Sequence, residues 1–114
     1  MQIIIRKSED IPQEEAHGGS GKRRLYIAEK ETPSQKVQGM THGWLPAQGV
    51  FDWHDHPGIE EIMFVLKGSG TVHDKDGDYQ YGQGDVVIFP ADTQHRVENT
   101  TDETNEFVFI RIYV

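Results

Sequence analysis

The chain contains no cysteine, which excludes disulfide bonds, thiolate metal ligands and a cysteine nucleophile. It also lacks an apolar stretch near the roughly 18 residues of a membrane span, and Ile3-Ile4-Ile5 is too short for a secretion signal. Basic residues are few, since 11 of them face 19 acidic residues and give a net charge of −8. Nucleic acids and anionic membranes both require clustered Lys and Arg. The sequence therefore predicts a cytoplasmic protein with neither partner.

Short apolar segments separated by turns predict an all-β fold. The 114 residues suffice for one domain, 1–114. Strands are expected at residues 37–45, 86–89 and 106–114, and Asp76-Gly77 is expected to close a hairpin. Residues 1–24 are interpreted as an N-terminal strand, over residues 2–6, followed by a glycine-rich loop. Such closely spaced strands and turns are typical of a sandwich or barrel.

Three histidines and one glutamate have spacings suited to a single metal ion. His54 and His56 are two positions apart, so their side chains would share one face of a strand. A Pro-Gly pair then interrupts the strand, and the next β-rich segment begins with two glutamates that can bring a carboxylate beside the imidazoles. His95 belongs to a distant second segment. Imidazole and carboxylate groups are suitable ligands for a divalent transition metal.

Alternation alone leaves the choice between Glu60 and Glu61 open. If Glu61 points inward, Met63 and Val65 follow it to the inner face. The opposite choice gives an equally apolar inner face. The residues by themselves therefore predict a carboxylate ligand without identifying it.

Two segments of the chain resemble the two sequence motifs of the cupin superfamily. The first, residues 49–68, has four residues where the motif has five between its opening glycine and His54. The second, residues 84–99, contains His95 and has Asp92 in place of the motif's second glycine. Asp tolerates turns and left-handed backbone conformations better than most residues, so the turn is expected to persist.

The resemblance implies a single-domain cupin with a double-stranded β-helix, or jelly-roll barrel. It also selects Glu61 and implies one divalent transition metal, which could be Fe, Mn, Ni, Co, Cu or Zn, with about two coordination positions left open. The implied metal ligands are His54, His56, Glu61 and His95. Candidates for the apolar wall of the pocket are Trp44, Phe51, Trp53, Met63, Tyr79, Tyr81 and Phe89.

The cupin superfamily includes proteins of many functions, so three remain open. The first is an enzyme that acts on a small oxygen-bearing molecule chelated by the metal, as a dioxygenase or as a sugar or hydroxy-keto isomerase or lyase. The alternative is a sugar- or carboxylate-binding or sensory cupin without turnover. The third is a metal-stabilised structural domain with a closed pocket. A small-molecule ligand or substrate is the expected partner in the first two.

The remaining histidines have no assigned place in the site. His17 is interpreted as part of a surface loop, His42 has no predicted orientation, and His73 is a candidate proton carrier beside the ligands. Arg96 directly follows a ligand, so alternation directs it away from the metal. The apolar closing strand and the isolated N-terminal strand together predict a homodimer with exchanged or abutting strand edges.

Overall fold

The computed structural model describes residues 2–114, which form two antiparallel sheets around one core. Two short 3-10 turns lie at Ser8–Asp10 and His17–Gly19. The strands are β1 Glu14–Ala16, β2 Gly21–Ile27, β3 Val37–Leu45, β4 Val50–His54, β5 Ile59–Lys67, β6 Gly70–Asp74, β7 Gly77–Tyr81, β8 Val86–Phe89, β9 His95–Asn99 and β10 Asn105–Tyr113. This is a jelly-roll barrel, and the predicted all-β fold is confirmed.

The six-stranded sheet has the order β1-β2-β3-β10-β5-β8, and the four-stranded sheet has the order β4-β9-β6-β7. The closing strand β10 lies between β3 and β5, so both of its edges are paired within the chain. All three strands have nine residues, which lets β3 and β5 cover β10 along its length. The sequence predicted that a second copy of the chain would pair with an edge of this strand, but both of its neighbours belong to the same chain.

The predicted N-terminal strand over residues 2–6 is wrong. These residues pair with no neighbouring backbone, and Ile3 and Ile5 are 91% and 81% exposed. A strand needs a second backbone to satisfy its N–H and C=O groups, whereas this segment is held by Arg6, which donates to the Tyr26 carbonyl at 3.2 Å. The loop predicted up to residue 24 instead contains β1, which pairs with the beginning of β2.

Other predicted elements agree closely with the structure. Strands β3 and β8 have the predicted bounds, and β10 begins and ends one residue earlier than predicted. The predicted hairpin is β6–β7, but its two turn residues are Lys75-Asp76, because Asp74 pairs with Gly77. The Asp74 carboxylate fixes this turn by accepting hydrogen bonds from the backbone N–H of Asp76 at 2.8 Å and of Gly77 at 3.0 Å.

Inward-facing side chains of both sheets form the hydrophobic core. Alternation along β5 buries Glu61, Met63 and Val65 and turns Phe64 outward. The inward orientation expected for Glu61 is confirmed, at 6% exposure. Complete burial of a large apolar side chain stabilises the fold by about 1.5–3 kcal/mol. The members of the core are Leu45, Phe51, Met63, Val65, Val72, Tyr81, Phe89, Val97, Phe107 and Phe109.

A buried asparagine joins the end of β3 to the loop between β9 and β10. The Asn99 side-chain amide donates to the carbonyl oxygens of Leu45 and Pro46, both at 3.0 Å, and of Glu103 at 2.7 Å. Its side-chain oxygen accepts from the backbone N–H of Thr101 at 2.9 Å and from the Thr101 hydroxyl at 2.7 Å. One side chain thus satisfies backbone groups of two separate segments.

We expect Asn99→Ala to lower the free energy of unfolding by about 3 kcal/mol, because it leaves buried carbonyl and N–H groups without partners. Urea denaturation followed by circular dichroism measures the change. The neighbouring Thr100→Ala is the control, since Thr100 is exposed and should change stability by less than about 0.5 kcal/mol. Equal stability of the two variants would contradict this role of Asn99.

Candidate metal centre

The four predicted ligand residues come together at one end of the barrel. His54 is the last residue of β4 and pairs across the sheet with His95, the first residue of β9. Glu61 reaches the same point from β5 in the other sheet. The sequence predicted that His54 and His56 lie on the same face of one strand. This explanation of their proximity is wrong, because β4 ends at His54. His56 is positioned instead by the turn that follows the strand.

Their donor atoms are close enough to share one ion. The four ligand atoms all lie within 4.8 Å of one another. Nε2 of His56 is 3.5 Å, and Nε2 of His95 is 3.7 Å, from Oε1 of Glu61. Metal–ligand bonds of about 2.1 Å set neighbouring donors about 3–4 Å apart. The cluster is therefore compatible with a divalent metal.

The hydrogen bonds of two imidazoles leave the correct nitrogen for a metal. Nδ1 of His54 lies 2.6 Å from the Asp52 carbonyl, and Nδ1 of His95 lies 2.9 Å from the Thr93 carbonyl. In both cases the carbonyl belongs to the residue two positions earlier and accepts the Nδ1 proton. Nε2 then has a free lone pair, as in many metal-binding histidines. Within residues 2–114, Nε2 of His95 and Nε2 of His56 are buried without a hydrogen-bond partner.

The Glu61 carboxylate remains ionised although it is buried. Burial would raise its pKa, but the adjacent imidazoles of His56 and His95, together with Arg111, lower the pKa to about 2. Nη1 of Arg111 is 3.6 Å from Oε2 of Glu61. Desolvation, assisted by the neighbouring imidazoles, lowers the pKa of His54. Anionic Glu61 and neutral His54 are the forms that bind a metal ion.

A cavity of about 50 Å³ adjoins the cluster inside the barrel. Phe51, Val97 and Phe109 supply apolar surface, and Arg23 and Arg111 supply positive charge. A wider space of about 420 Å³ lies on the outer side of the cluster and is lined by His56 among others. The site therefore combines potential metal ligands with a small cationic and apolar recess, a combination suited to a small anion.

The predicted wall residues have different positions. Phe51 lines the cavity, and the ring of Phe89 stacks on His95 with centroids 4.1 Å apart. Met63 and Tyr81 belong to the core, while Trp53 is exposed. Tyr79 is exposed as well, and Trp44 stacks on His42 away from the metal cluster. Tyr79, Tyr81 and Phe89 also line a space of about 370 Å³ together with His95. Four of the seven predicted wall residues, Phe51, Tyr79, Tyr81 and Phe89, therefore share a cavity with a residue of the His/Glu cluster.

His42 and His73 have partners outside the site. Nδ1 of His42 is 2.7 Å from the Tyr26 hydroxyl, and its Nε2 is 2.8 Å from Glu106. Nδ1 of His73 is 2.6 Å from Asp78. His73 pairs across the sheet with Arg96, so both side chains share the face opposite to the neighbouring His95. The outward orientation predicted for Arg96 is confirmed, and a proton-carrier role for His73 at the site is not supported.

Three residues that line the cavity were not predicted from the sequence to belong to the site. Arg111 continues the inward alternation of Phe107 and Phe109 on β10, so a charged residue at the end of an apolar face was an available signal. Arg23 and His17 line the same cavity from β2 and the preceding turn. Their position depends on the pairing of β2 with β3, which the local sequence does not specify.

Asp92, which replaces a glycine of the second motif, has the expected left-handed conformation with φ of 63°. Its carboxylate accepts a hydrogen bond from the Gly58 N–H at 3.1 Å, and its own N–H donates to the His56 carbonyl at 3.4 Å. Both contacts fasten the turn that holds His56. The departure from the motif therefore adds a connection between the two motif segments.

Residues 43–111 match the model of the cupin domain family. The chain belongs to the cupin family. The match includes all four members of the His/Glu cluster and the eight strands β3 to β10. The first six residues of β3 and the last two of β10 lie outside it. Residues 2–114 of this cupin contain no helix with the length and apolar character that a membrane crossing requires.

Several relatives of this cupin have names that refer to oxalate. An oxalate-binding protein of Thermotoga maritima is 29% identical over 113 residues, which cover 96% of this chain and 93% of that protein. A probable oxalate decarboxylase of Arthroderma benhamiae is 28% identical over 109 residues, which cover 91% of this chain but 26% of that protein. A crystal structure described as a predicted oxalate decarboxylase from Thermotoga maritima superposes with a TM-score of 0.83 at 28% identity, covering 97% of this chain and 100% of that one.

We expect the metal-free cupin to lose stability on acidification. Desolvation against its neighbours, with repulsion from His54, lowers the pKa of His17 from 6.5 to about 4 in the folded chain. Below pH 6.5 the unfolded chain binds more protons than the folded chain, so the free energy of unfolding falls as the pH drops towards 4. Glu61 adds a further loss between 4.5 and about 2.

Urea denaturation of chelator-treated protein between about pH 7 and pH 4 measures this loss. His17→Gln should reduce the loss in this interval, because one of the two histidines with a lowered pKa is then absent. A free energy of unfolding that stays constant or rises on acidification would contradict the assigned protonation states.

Proposed function

We propose that His54, His56, Glu61 and His95 hold one divalent transition metal ion. The proposal is carried by four convergent donor atoms, of which Nε2 of His56 and Nε2 of His95 are buried without partners within residues 2–114. Burial of such a nitrogen without a partner is unfavourable, and a bound ion would satisfy it. Nitrogen and oxygen donors without sulfur suit Fe, Mn, Co, Ni, Cu or Zn.

The metal-loaded site is proposed to bind a small carboxylate, with oxalate as the first candidate. A bound ion supplies open coordination positions that a chelating pair of oxygens can occupy. Arg23 and Arg111 line the adjoining cavity, and guanidinium groups are well suited to carboxylates. Similarity over nearly its full length to a protein named for oxalate binding supports this choice.

Binding without turnover is favoured by a shortage of groups for proton transfer, because His17 is the one histidine among the described lining residues that is not a proposed metal ligand. Glu61 is the single carboxylate among the described residues that line the cavity, and it is already a proposed ligand. An isomerase or lyase needs an acid or base that reaches its substrate. Decarboxylation of hydrogen oxalate to formate and carbon dioxide is the second candidate, favoured by the partial match to a probable oxalate decarboxylase.

We expect wild-type protein to contain close to one transition metal ion per chain and His95→Ala to contain almost none. Loss of one of four ligands should remove several kcal/mol of binding free energy, because the remaining donors leave the ion incompletely coordinated. Mass spectrometry of digested, untagged protein measures the metal. His73→Ala is the matched control, because His73 faces away from the cluster.

Calorimetric titration of the metal-loaded protein with oxalate then tests the ligand. Binding that disappears with the metal supports the proposal, and formate production would select the second candidate. Protein that takes up none of the six metals would contradict the metal site. Metal-loaded protein that binds no oxalate would leave the metal site intact and contradict the ligand.

We also propose that the cupin forms a homodimer through the outer face of the six-stranded sheet. Two cross-strand rows of apolar side chains cover this face: Val108, Phe64 and Val86 form one, and Ile110, Ile62 and Ile88 form the other. Val86 and Ile88 are 60% and 59% exposed in the single chain. A contiguous apolar patch of this kind is typical of a protein interface, and two copies related by a two-fold axis would cover it.

We expect the purified protein to have twice the 13.0 kDa mass of one chain, and Ile88→Lys to reduce it to the mass of one chain, because a buried charge opposes association. Size-exclusion chromatography with light scattering measures the mass. Tyr79→Lys replaces an exposed residue on the other sheet and should leave the mass unchanged. A wild-type mass of 13.0 kDa would contradict the dimer.

A further inference from the structure

The tip of the β1–β2 hairpin carries a histidine into the neighbourhood of the metal cluster. Ala16 pairs with Gly21, so residues 17–20 form the connecting turn, closed by a hydrogen bond from Ser20 N–H to the His17 carbonyl at 3.3 Å. Gly21 is required here, because a Cβ atom at this position would lie 2.9 Å from the Phe51 ring. The turn is thereby held directly over Phe51.

The His17 ring is placed by two aromatic neighbours. It stacks on Phe51 with centroids 4.3 Å apart and an interplanar angle of 26°, and it meets the edge of His54 at 5.0 Å. Neither contact is a hydrogen bond, which leaves the ring nitrogen atoms available to a ligand. Phe51 lines the cavity and His54 is a proposed metal ligand, so the two neighbours fix His17 at the site.

The backbone of His17 is in an unfavourable conformation. Its φ is 50°, and the next two residues, Gly18 and Gly19, have φ of 67° and 97°. Glycine adopts such angles readily, but a residue with a side chain does so at an energetic cost. The turn therefore holds His17 in a conformation that glycine would adopt more readily.

His17 also stands between the two spaces that meet at the cluster. It lines both the cavity of about 50 Å³ and the wider space of about 420 Å³, together with Arg23, Glu61 and Arg111. A small molecule that moves from the wider space towards the cavity therefore passes this ring. The imidazole of His17 carries an N–H group that can donate a hydrogen bond to such a molecule.

We propose that His17 is a specificity-determining residue, which donates one hydrogen bond to a carboxylate bound at the metal centre. This inference rests on the proposed binding of a small carboxylate and assigns a further hydrogen-bond donor beside the two arginines. A hydrogen bond from this position would fix the orientation of the anion. His17 is not itself assigned as a metal ligand, because its ring is not among the four clustered donors.

Three substitutions separate the hydrogen bond from the stacking and from the strain. His17→Phe keeps a ring against Phe51 but has no donor, His17→Gln restores a side-chain N–H, and His17→Gly removes both the ring and the strained conformation. Each protein is loaded with cobalt, whose visible spectrum reports the metal ligands, and is titrated calorimetrically with oxalate. His73→Phe is the control at a histidine that faces away from the cluster.

We expect all four variants to keep wild-type cobalt content and an unchanged spectrum before oxalate is added. Oxalate affinity should fall about tenfold in His17→Phe and His17→Gly, as expected for one lost hydrogen bond to a charged group. His17→Gln should retain most of the affinity, and the control all of it.

Wild-type affinity in His17→Phe, or equal losses in His17→Phe and His17→Gln, would overturn the hydrogen bond. Loss of cobalt in the His17 variants would overturn it as well, because His17 would then act through the metal ligands. These outcomes leave the proposed function intact. If cobalt-loaded wild-type protein binds no oxalate, the proposed function and the inference that rests on it both fail.

Discussion

Burial of the Glu61 carboxylate in an apolar barrel removes it from water, so neighbouring polar and positively charged groups must stabilise its charge. Its Oε1 faces the imidazoles of His56 and His95, while its Oε2 faces Arg111. Arg111 in turn donates hydrogen bonds to side chains on β3. Its own side chain has room because the residue paired with it is Gly39, at which a Cβ atom would lie 2.8 Å from Nη2 of Arg111. Polar contacts thereby reinforce the register of three adjacent strands, in addition to the apolar packing around them.

Local patterns predicted the parts of the structure that neighbouring residues determine. The inward direction of Glu61 followed from strand alternation once the cupin resemblance had chosen the parity, and the turn at Asp92 followed from the conformational tolerance of that residue. The strand predicted for the N-terminal segment was wrong, because a strand needs a second strand to pair with, and three consecutive isoleucines do not specify one. Arg23 and His17 were missed for the same reason, since the pairing of distant strands brings them to the site.

The two faces of the six-stranded sheet have different roles although both contain apolar residues. The inner face is completed by the smaller sheet and encloses the core and the His/Glu cluster. The outer face has Ile62, Phe64 and Ile88 arranged in cross-strand contact, with no second layer from residues 2–114 over Ile88. When both sides of a sheet are apolar, the sequence does not indicate which side the chain itself covers. Composition alone therefore could not distinguish the core from the exposed outer face.

The rings of His54 and His95 are each tied to a carbonyl two residues earlier, whereas His56 has no such tie among residues 2–114. Two of the proposed metal donors are therefore oriented by hydrogen bonds and one is not. A metal site of this kind would adapt to ions of different radius by small rotations of a single side chain. Metal selection would then depend more on cellular supply and ligand chemistry than on a size limit set by the barrel.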